Sequence, residues 1–136
     1  MKISAKEQHG LRAVVELAAR YGQGPVPLAE VAEAQGLSRD YLEQIVPALR
    51  EAGLVQSTRG AHGGYQLARA PQKVTVGQVL RALEGEILPV QCVSKDAKEC
   101  DRSHMCAART VWTKVHARVS ETLDEMTLAD LQVPHV

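Results

Sequence analysis

The sequence predicts a mainly α-helical protein with a small β-hairpin wing, that is, a winged helix-turn-helix followed by a long C-terminal helix. Two short helical patterns are separated by a tight turn that contains glycine, and two strand-like stretches then flank the segment TRGAHGG. A long amphipathic run lies near the C-terminus. Helix, glycine turn, helix and hairpin in this order are typical of a winged helix.

Apolar residues recur at helical spacing in the first third of the chain. The first helix is expected from Glu7 to a stop at Tyr21 and Gly22, with an inward face formed by Leu11, Val14, Val15, Leu17 and Ala18. The second, LAEVAEAQG, ends at Gly36. Ser38 is placed to cap the third, RDYLEQIVPALREAG, which we expect to bend at Pro47 and to continue beyond it.

The rest of the chain gives equally local signals. LVQS and GYQLA are strand-like, and the glycines between them permit the positive φ angles of a hairpin tip. Thr75 is placed to cap VGQVLRALEG. Thr127 and Asp130 have capping-box-like spacing before a short last turn. The long run AARTVWTKVHARVSETLDEM carries one apolar stripe, formed by Trp112, Val115, Val119, Leu123 and Met126.

Composition narrows the classes of function. Sixteen basic residues balance sixteen acidic ones in the 136-residue chain, so a DNA-binding role has to rest on local basic clusters. The N-terminal stretch has no uninterrupted apolar run, and no segment approaches the roughly 20 apolar residues of a membrane span, so we expect a cytoplasmic protein without a membrane partner. No carboxylate pair, nucleophile-base arrangement or phosphate-cradling loop indicates an enzyme.

The third helix and the hairpin tip carry side chains suited to double-stranded DNA. Glu43 can accept from cytosine N4 and Gln44 can bond adenine, while Arg50 suits phosphate. Arg59 and His62 lie on the hairpin tip, which could reach a minor groove. Each feature alone is often a solvated surface, but their order favours a DNA-reading face. The remaining candidates at the start of the third helix are Ser38 and Arg39, as phosphate contacts, together with Asp40 and Tyr41.

All three cysteines, Cys92, Cys100 and Cys106, lie on the single polar segment CVSKDAKECDRSHMC. In a cytosolic protein such clustering favours metal binding or redox sensing over a structural disulfide, with metal-free thiols as the alternative. The spacing C-x7-C-x5-C is wider than the pairs of zinc ribbons and favours an iron-sulfur cluster over zinc. A fourth ligand is open: His104 is nearest, and the alternatives on the first helix are Glu7, Gln8 and His9.

The chain resembles the Rrf-type bacterial repressors, which include the regulators IscR, NsrR and CymR, and most of all the cluster-binding members. The resemblance is carried by MKISAKEQHGLRAVVELA, LSRDYLEQIVPALREAGLVQSTRGAHGGYQLAR, the three-cysteine segment, RTVWTKV and TLADL, and covers nearly the whole chain. It implies a DNA-binding domain over residues 1–85, a sensor loop over 86–106, and a dimerisation helix with a C-terminal cap over 107–136.

The same resemblance implies a homodimer and a cluster, 2Fe-2S favoured over 4Fe-4S, held by the three cysteines. It also implies operator contacts at Ser38, Tyr41, Glu43, Gln44 and Arg59, with Asp40 in place of a serine.

The resemblance does not supply the fourth ligand. The histidine of the iron-sulfur assembly regulator is replaced by Arg109, and the acidic residue of the nitric-oxide branch is replaced by Gln8. Besides His104 and the first helix, an exchangeable small molecule could fill the position. Two alternatives to a cluster sensor stay open: a cluster-free repressor of cysteine metabolism that senses thiol oxidation or a partner protein, and a protein-interaction module stabilised by zinc on the three cysteines and His104.

Overall fold

The computed structural model describes residues 3–85 and 107–132, and the elements follow the predicted order. Short 3-10 turns at Pro71–Lys73 and Ala129–Leu131 precede α4 and follow α5. The helices and strands are α1 Ala5–Ala19, α2 Leu28–Gln35, α3 Arg39–Glu51, β1 Val55–Thr58, β2 Gly64–Leu67, α4 Val76–Glu84 and α5 Ala107–Glu125. Among the described residues, no helix has the length and apolar character needed to cross a membrane.

Local capping sets most helix starts. The Ser38 hydroxyl accepts from the backbone N–H of Tyr41, as predicted, and Thr75 forms a capping box with Gln78. The start of α1 differs from the prediction, because Ser4 and Glu7 form a capping box and the helix begins at Ala5, not at Glu7. α3 runs through Pro47 without ending, as expected.

The core lies between α1, α2, α3, α4 and the hairpin. Leucine, valine, alanine and Ile45 occupy it, in a chain that has no phenylalanine. On α4, Val76, Val79, Leu80 and Leu83 are all buried. Side chains with less than 2% exposure are Leu42, Ile45, Leu49, Leu67, Leu128, Val14, Val31, Val74 and Val79.

The hairpin is attached to the segment that precedes α2. β1 and β2 pair antiparallel, and Val26 and Tyr65 exchange two backbone hydrogen bonds of 2.8 Å beside them. Gly64 makes this approach possible, because a Cβ there would lie 2.3 Å from the carbonyl carbon and oxygen of Val26. The φ angle of Gly64 is +154°. The wing is therefore held against the helix-turn-helix at its base.

α5 is attached to the rest of the fold near its C-terminal end. The Arg81 guanidinium donates two hydrogen bonds to the Asp124 carboxylate, 2.7 and 3.0 Å long. The hydrogen bond from Arg81 holds the pKa of Asp124 below its usual value, against the opposing effect of desolvation. Leu128, just beyond α5, donates its backbone N–H to the Val74 carbonyl and is fully buried. Within α5 itself no residue is buried.

Candidate nucleic-acid interface

The outward face of α3 and the hairpin line one cleft. The cleft has a volume of about 470 Å³ and is bounded by the start of α2, by α3 and by the wing. Its charged lining residues are Arg39, Arg50, Arg59 and Glu43. Three guanidinium groups against one carboxylate give this surface a positive balance in a chain whose formal net charge is zero. The local basic cluster that a DNA-binding role requires is therefore present.

Arg39 and Glu43 form an ion pair one helical turn apart. The Arg39 Nε lies 3.2 Å from the Glu43 Oε1, and the two side chains are 64% and 50% exposed. The side chain of Glu43 is therefore held by a neighbour while its carboxylate still opens on the cleft. The negative charge on this face is compensated before any ligand binds.

Tyr41 is connected to α1. The His9 Nδ1 lies 3.2 Å from the Tyr41 hydroxyl, and the two rings meet edge to face with centroids 5.4 Å apart and planes at 77°. This contact joins residues 32 apart in the sequence and orients a side chain at the start of the predicted reading helix. Nothing in the local sequence indicates it, because neither residue type requires the other as a partner.

The other predicted DNA contacts lie on the same elements. The Ser38 hydroxyl is used as the α3 cap, where it accepts from Tyr41, so its own hydrogen can still be donated to another acceptor. Gln44 is exposed on α3, and His62 is exposed at the hairpin tip. The cleft also includes Pro27, Leu28 and Ala29 at the start of α2, which sequence reasoning did not select.

The cysteine-bearing segment lies outside the described residues, and so does His104. Within residues 3–85 and 107–132, no group of three or more His, Cys, Asp or Glu side chains is arranged to hold a metal ion. Of the predicted ligands, the alternatives Glu7, Gln8 and His9 lie within the described part of the chain, on α1.

Glu7, Gln8 and His9 differ in which of their side-chain atoms already have a hydrogen-bond partner. The Glu7 side chain is 5% exposed; its Oε1 accepts from the backbone N–H of Ser4, and its Oε2 has no hydrogen-bond partner among the described residues. The Gln8 amide donates to the Ile3 carbonyl, and His9 is engaged with Tyr41. Of the three residues, Glu7 therefore has a carboxylate oxygen, Oε2, that could still accept a hydrogen bond or bind a cation.

The start of α1 lies against the end of α4. Lys6 Nζ is 4.0 Å from Glu84 Oε1, and a Cβ on Gly10 would meet the Leu83 side chain at 2.4 Å. Gly85, the last described residue before the cysteine-bearing segment, follows Glu84 directly. The chain thus enters that segment from beside the helix that carries Glu7, Gln8 and His9.

A helix-turn-helix whose second helix shares an arginine-lined cleft with a hairpin wing defines a winged-helix DNA-binding protein. The family model that matches this chain, over residues 3–134, is Rrf2, described as an iron-dependent transcriptional regulator. The chain belongs to the Rrf2 family of transcriptional regulators.

Known relatives agree in sequence and in fold. The transcriptional regulator CymR of Bacillus subtilis is 44% identical over 131 residues, which are 96% of this chain and 89% of the relative. Its structure, described as that of the global cysteine regulator, has a TM-score of 0.80 and covers 96% of this chain and 95% of that one. The regulator IscR of Aliivibrio salmonicida is 38% identical over 133 residues, 98% of this chain and 78% of the relative.

The structure of T. potens IscR has a TM-score of 0.79 at 40% identity and covers 100% of this chain and 94% of that one. The predicted fold class is therefore confirmed.

Proposed function

We propose that this chain acts as a cytoplasmic homodimeric repressor that binds operator DNA and senses iron-sulfur status, redox state or nitric oxide through its three-cysteine segment. The observation that carries the DNA-binding part is the cleft shared by α3 and the wing, with Arg39, Arg50 and Arg59 around it. We propose no catalytic role, in keeping with relatives that are transcriptional regulators. The domain division at residues 1–85, 86–106 and 107–136 is part of the same proposal.

Base reading is assigned to the exposed face of α3. Glu43 and Gln44 present an acceptor and an amide to base edges in the major groove, and Tyr41 lies beside them, oriented by His9. We assign phosphate contacts to Ser38, at the start of α3, and to Arg50, which lines the cleft together with Arg39. On the wing, Arg59 and His62 approach the adjacent minor groove.

Selection from a randomised duplex pool tests the DNA-binding part. The protein should enrich a duplex, and Arg59→Gln should weaken its binding about tenfold and lower the slope of log affinity against log salt by about one. Lys114→Gln is the matched control, because Lys114 is an exposed cation on α5 that is not among the residues lining the cleft. Failure to enrich any duplex, or equal losses in the two variants, would contradict the proposal.

The homodimer is supported by the uncovered face of α5. Val111 is 52% and Trp112 38% exposed, although large apolar side chains are usually covered in a folded chain. A shallow cavity of about 230 Å³ continues this surface, lined by Arg118, Val119, Thr122 and Leu123. Pairing of two α5 helices would bury the stripe and present two reading heads to a pseudo-palindromic operator.

For the sensor we propose that Cys92, Cys100 and Cys106 hold an iron-sulfur cluster, 2Fe-2S favoured over 4Fe-4S. Support comes from the family description as an iron-dependent regulator and from the similarity to IscR. The donor set fits the group, since thiolates are its usual ligands. Such a cluster would supply a centre that reacts with oxygen or nitric oxide.

The fourth ligand is proposed to be His104 or Glu7. A carboxylate oxygen without a hydrogen-bond partner is costly to bury, so Glu7 Oε2 would gain from a cation or donor beside it. α1 also offers a route to the DNA-reading face, because His9, two residues further on, contacts Tyr41. A change at the start of α1 would thereby reach the start of α3.

The similarity to CymR supports a second candidate, a cluster-free repressor that senses thiol oxidation or a partner protein.

Visible absorption and iron analysis of anaerobically purified protein separate the candidates. Brown protein with iron supports the cluster, colourless protein with zinc supports the interaction module, and colourless metal-free protein supports thiol sensing. In the first case, Cys100→Ser should abolish the colour, whereas Glu7→Gln should alter the spectrum only if Glu7 is the ligand.

A further inference from the structure

Arg39 occupies a position that helix energetics disfavour. It is the first residue of α3, directly after the Ser38 cap, where the exposed N–H groups carry partial positive charge. An acidic residue such as its neighbour Asp40 suits this end of a helix, and a cation does not. The presence of arginine here is therefore better explained by an anion close to it than by the stability of α3.

The anion beside Arg39 is the Glu43 carboxylate, 3.2 Å away. An arginine that precedes a glutamate by four residues is the weaker orientation of such a pair on a helix. Both side chains are at least half exposed, so the pair contributes little to the stability of the free protein. Its effect lies in the cleft, because both residues line it and the pair loses water when a ligand fills it.

A carboxylate in this cleft opposes the binding of DNA. It repels phosphates and the acceptor atoms of base edges, and it is satisfied only where a base offers an amino group, as cytosine N4 does in the major groove. Without a cation beside Glu43, the protein would thus bind strongly only to duplexes that contain such a base pair. Arg39 supplies a compensating charge that does not depend on the base.

We infer that Arg39 is a specificity-determining residue that neutralises Glu43 in the DNA complex. It thereby determines how strongly the affinity for DNA depends on a base amino group opposite Glu43. The inference rests on the proposed DNA-binding function of the cleft. It replaces the expectation that Arg39 contacts a phosphate, because the guanidinium already has its anion within the same helix.

A double-mutant cycle tests this role. The probe is the duplex enriched by the wild-type protein, and the variants are Arg39→Gln, Glu43→Gln and the pair together. Arg39→Gln should weaken binding about tenfold in the wild-type background and less than about twofold in the Glu43→Gln background. Arg39→Lys keeps the charge and should retain most of the affinity. Replacing the base pair that carries the amino group should lower the duplex affinity of Arg39→Gln more than that of the wild-type protein.

Salt dependence distinguishes neutralisation from a phosphate contact. Arg50→Gln, the control within the same cleft, should lower the slope of log affinity against log salt by about one, whereas Arg39→Gln should leave it unchanged. Circular dichroism should show equal folding for all variants, since the three positions are exposed.

Equal costs of Arg39→Gln in the two backgrounds, or a slope lowered as by Arg50→Gln, would overturn the inference and leave DNA binding intact. A protein that enriches no duplex would overturn both.

Discussion

Gly64→Ala should detach the wing from the helix-turn-helix. The added Cβ would lie 2.3 Å from the carbonyl carbon and oxygen of Val26 and 2.7 Å from the Pro27 nitrogen. These are backbone atoms, so no rotamer change relieves the contact. The strand β2 must move away, and the two 2.8 Å hydrogen bonds between Val26 and Tyr65 are then lost.

The expected magnitude follows from those contacts. Each of the two backbone hydrogen bonds contributes about 0.5 to 1.5 kcal/mol net. A non-glycine residue held in the unfavourable backbone conformation at Gly64 adds about 1 kcal/mol. Gly64→Ala should therefore lower the free energy of unfolding by about 3 kcal/mol. It should also weaken binding to the selected duplex, because the wing that carries Arg59 loses its attachment.

Gly22→Ala is the matched control. Gly22 also has a positive φ, +88°, but nothing lies within 4 Å of an added Cβ, so the cost should be only about 1 kcal/mol of backbone strain. Urea denaturation followed by circular dichroism, at one fixed protein concentration, measures both variants. Equal destabilisation of Gly64→Ala and Gly22→Ala would show that close backbone approach does not hold the wing.

Three further predictions concern the core, the attachment of α5 and its exposed face. Leu42→Ala removes a fully buried side chain and should cost about 3 kcal/mol in urea denaturation; a cost under about 1 kcal/mol would contradict the packing described. Because the pKa of Asp124 is lowered in the folded state, the ion pair with Arg81 stabilises the fold at neutral pH and loses this effect as pH falls through that lowered pKa. Asp124→Asn should therefore be less stable than the wild type at pH 7, by under about 1 kcal/mol because both side chains are partly exposed, with the gap narrowing below about pH 4; a gap independent of pH would refute this. Trp112→Glu places a charge on the uncovered stripe and should shift sedimentation from dimer to monomer, whereas Lys114→Gln should not; an unchanged dimer would exclude this face as the interface.

Local signals predicted much of the fold because they depend on neighbours within about four residues. Ser38 and Thr75 cap α3 and α4 as expected, and Thr127 and Asp130 exchange the reciprocal bonds that their spacing predicts. The S-x-x-E pattern at Ser4 is also a local capping signal, and through it α1 begins two residues before the predicted start at Glu7.

Of the candidate DNA-reading residues, Arg39, Glu43 and Arg59 line one cleft. The order of elements explains why these residues share a cleft, because a hairpin that directly follows the second helix of a helix-turn-helix folds back beside it.

The helices, the wing and the polar residues on the outward face of α3 follow from the sequence alone, because capping and periodicity act over a few neighbouring residues. Packing between distant parts of the chain brings His9 against Tyr41 and the backbone of Val26 against Gly64. It also buries Glu7 with one oxygen that lacks a partner in the described part of the chain. These contacts arise where separate elements pack together, and their geometry depends on the whole core.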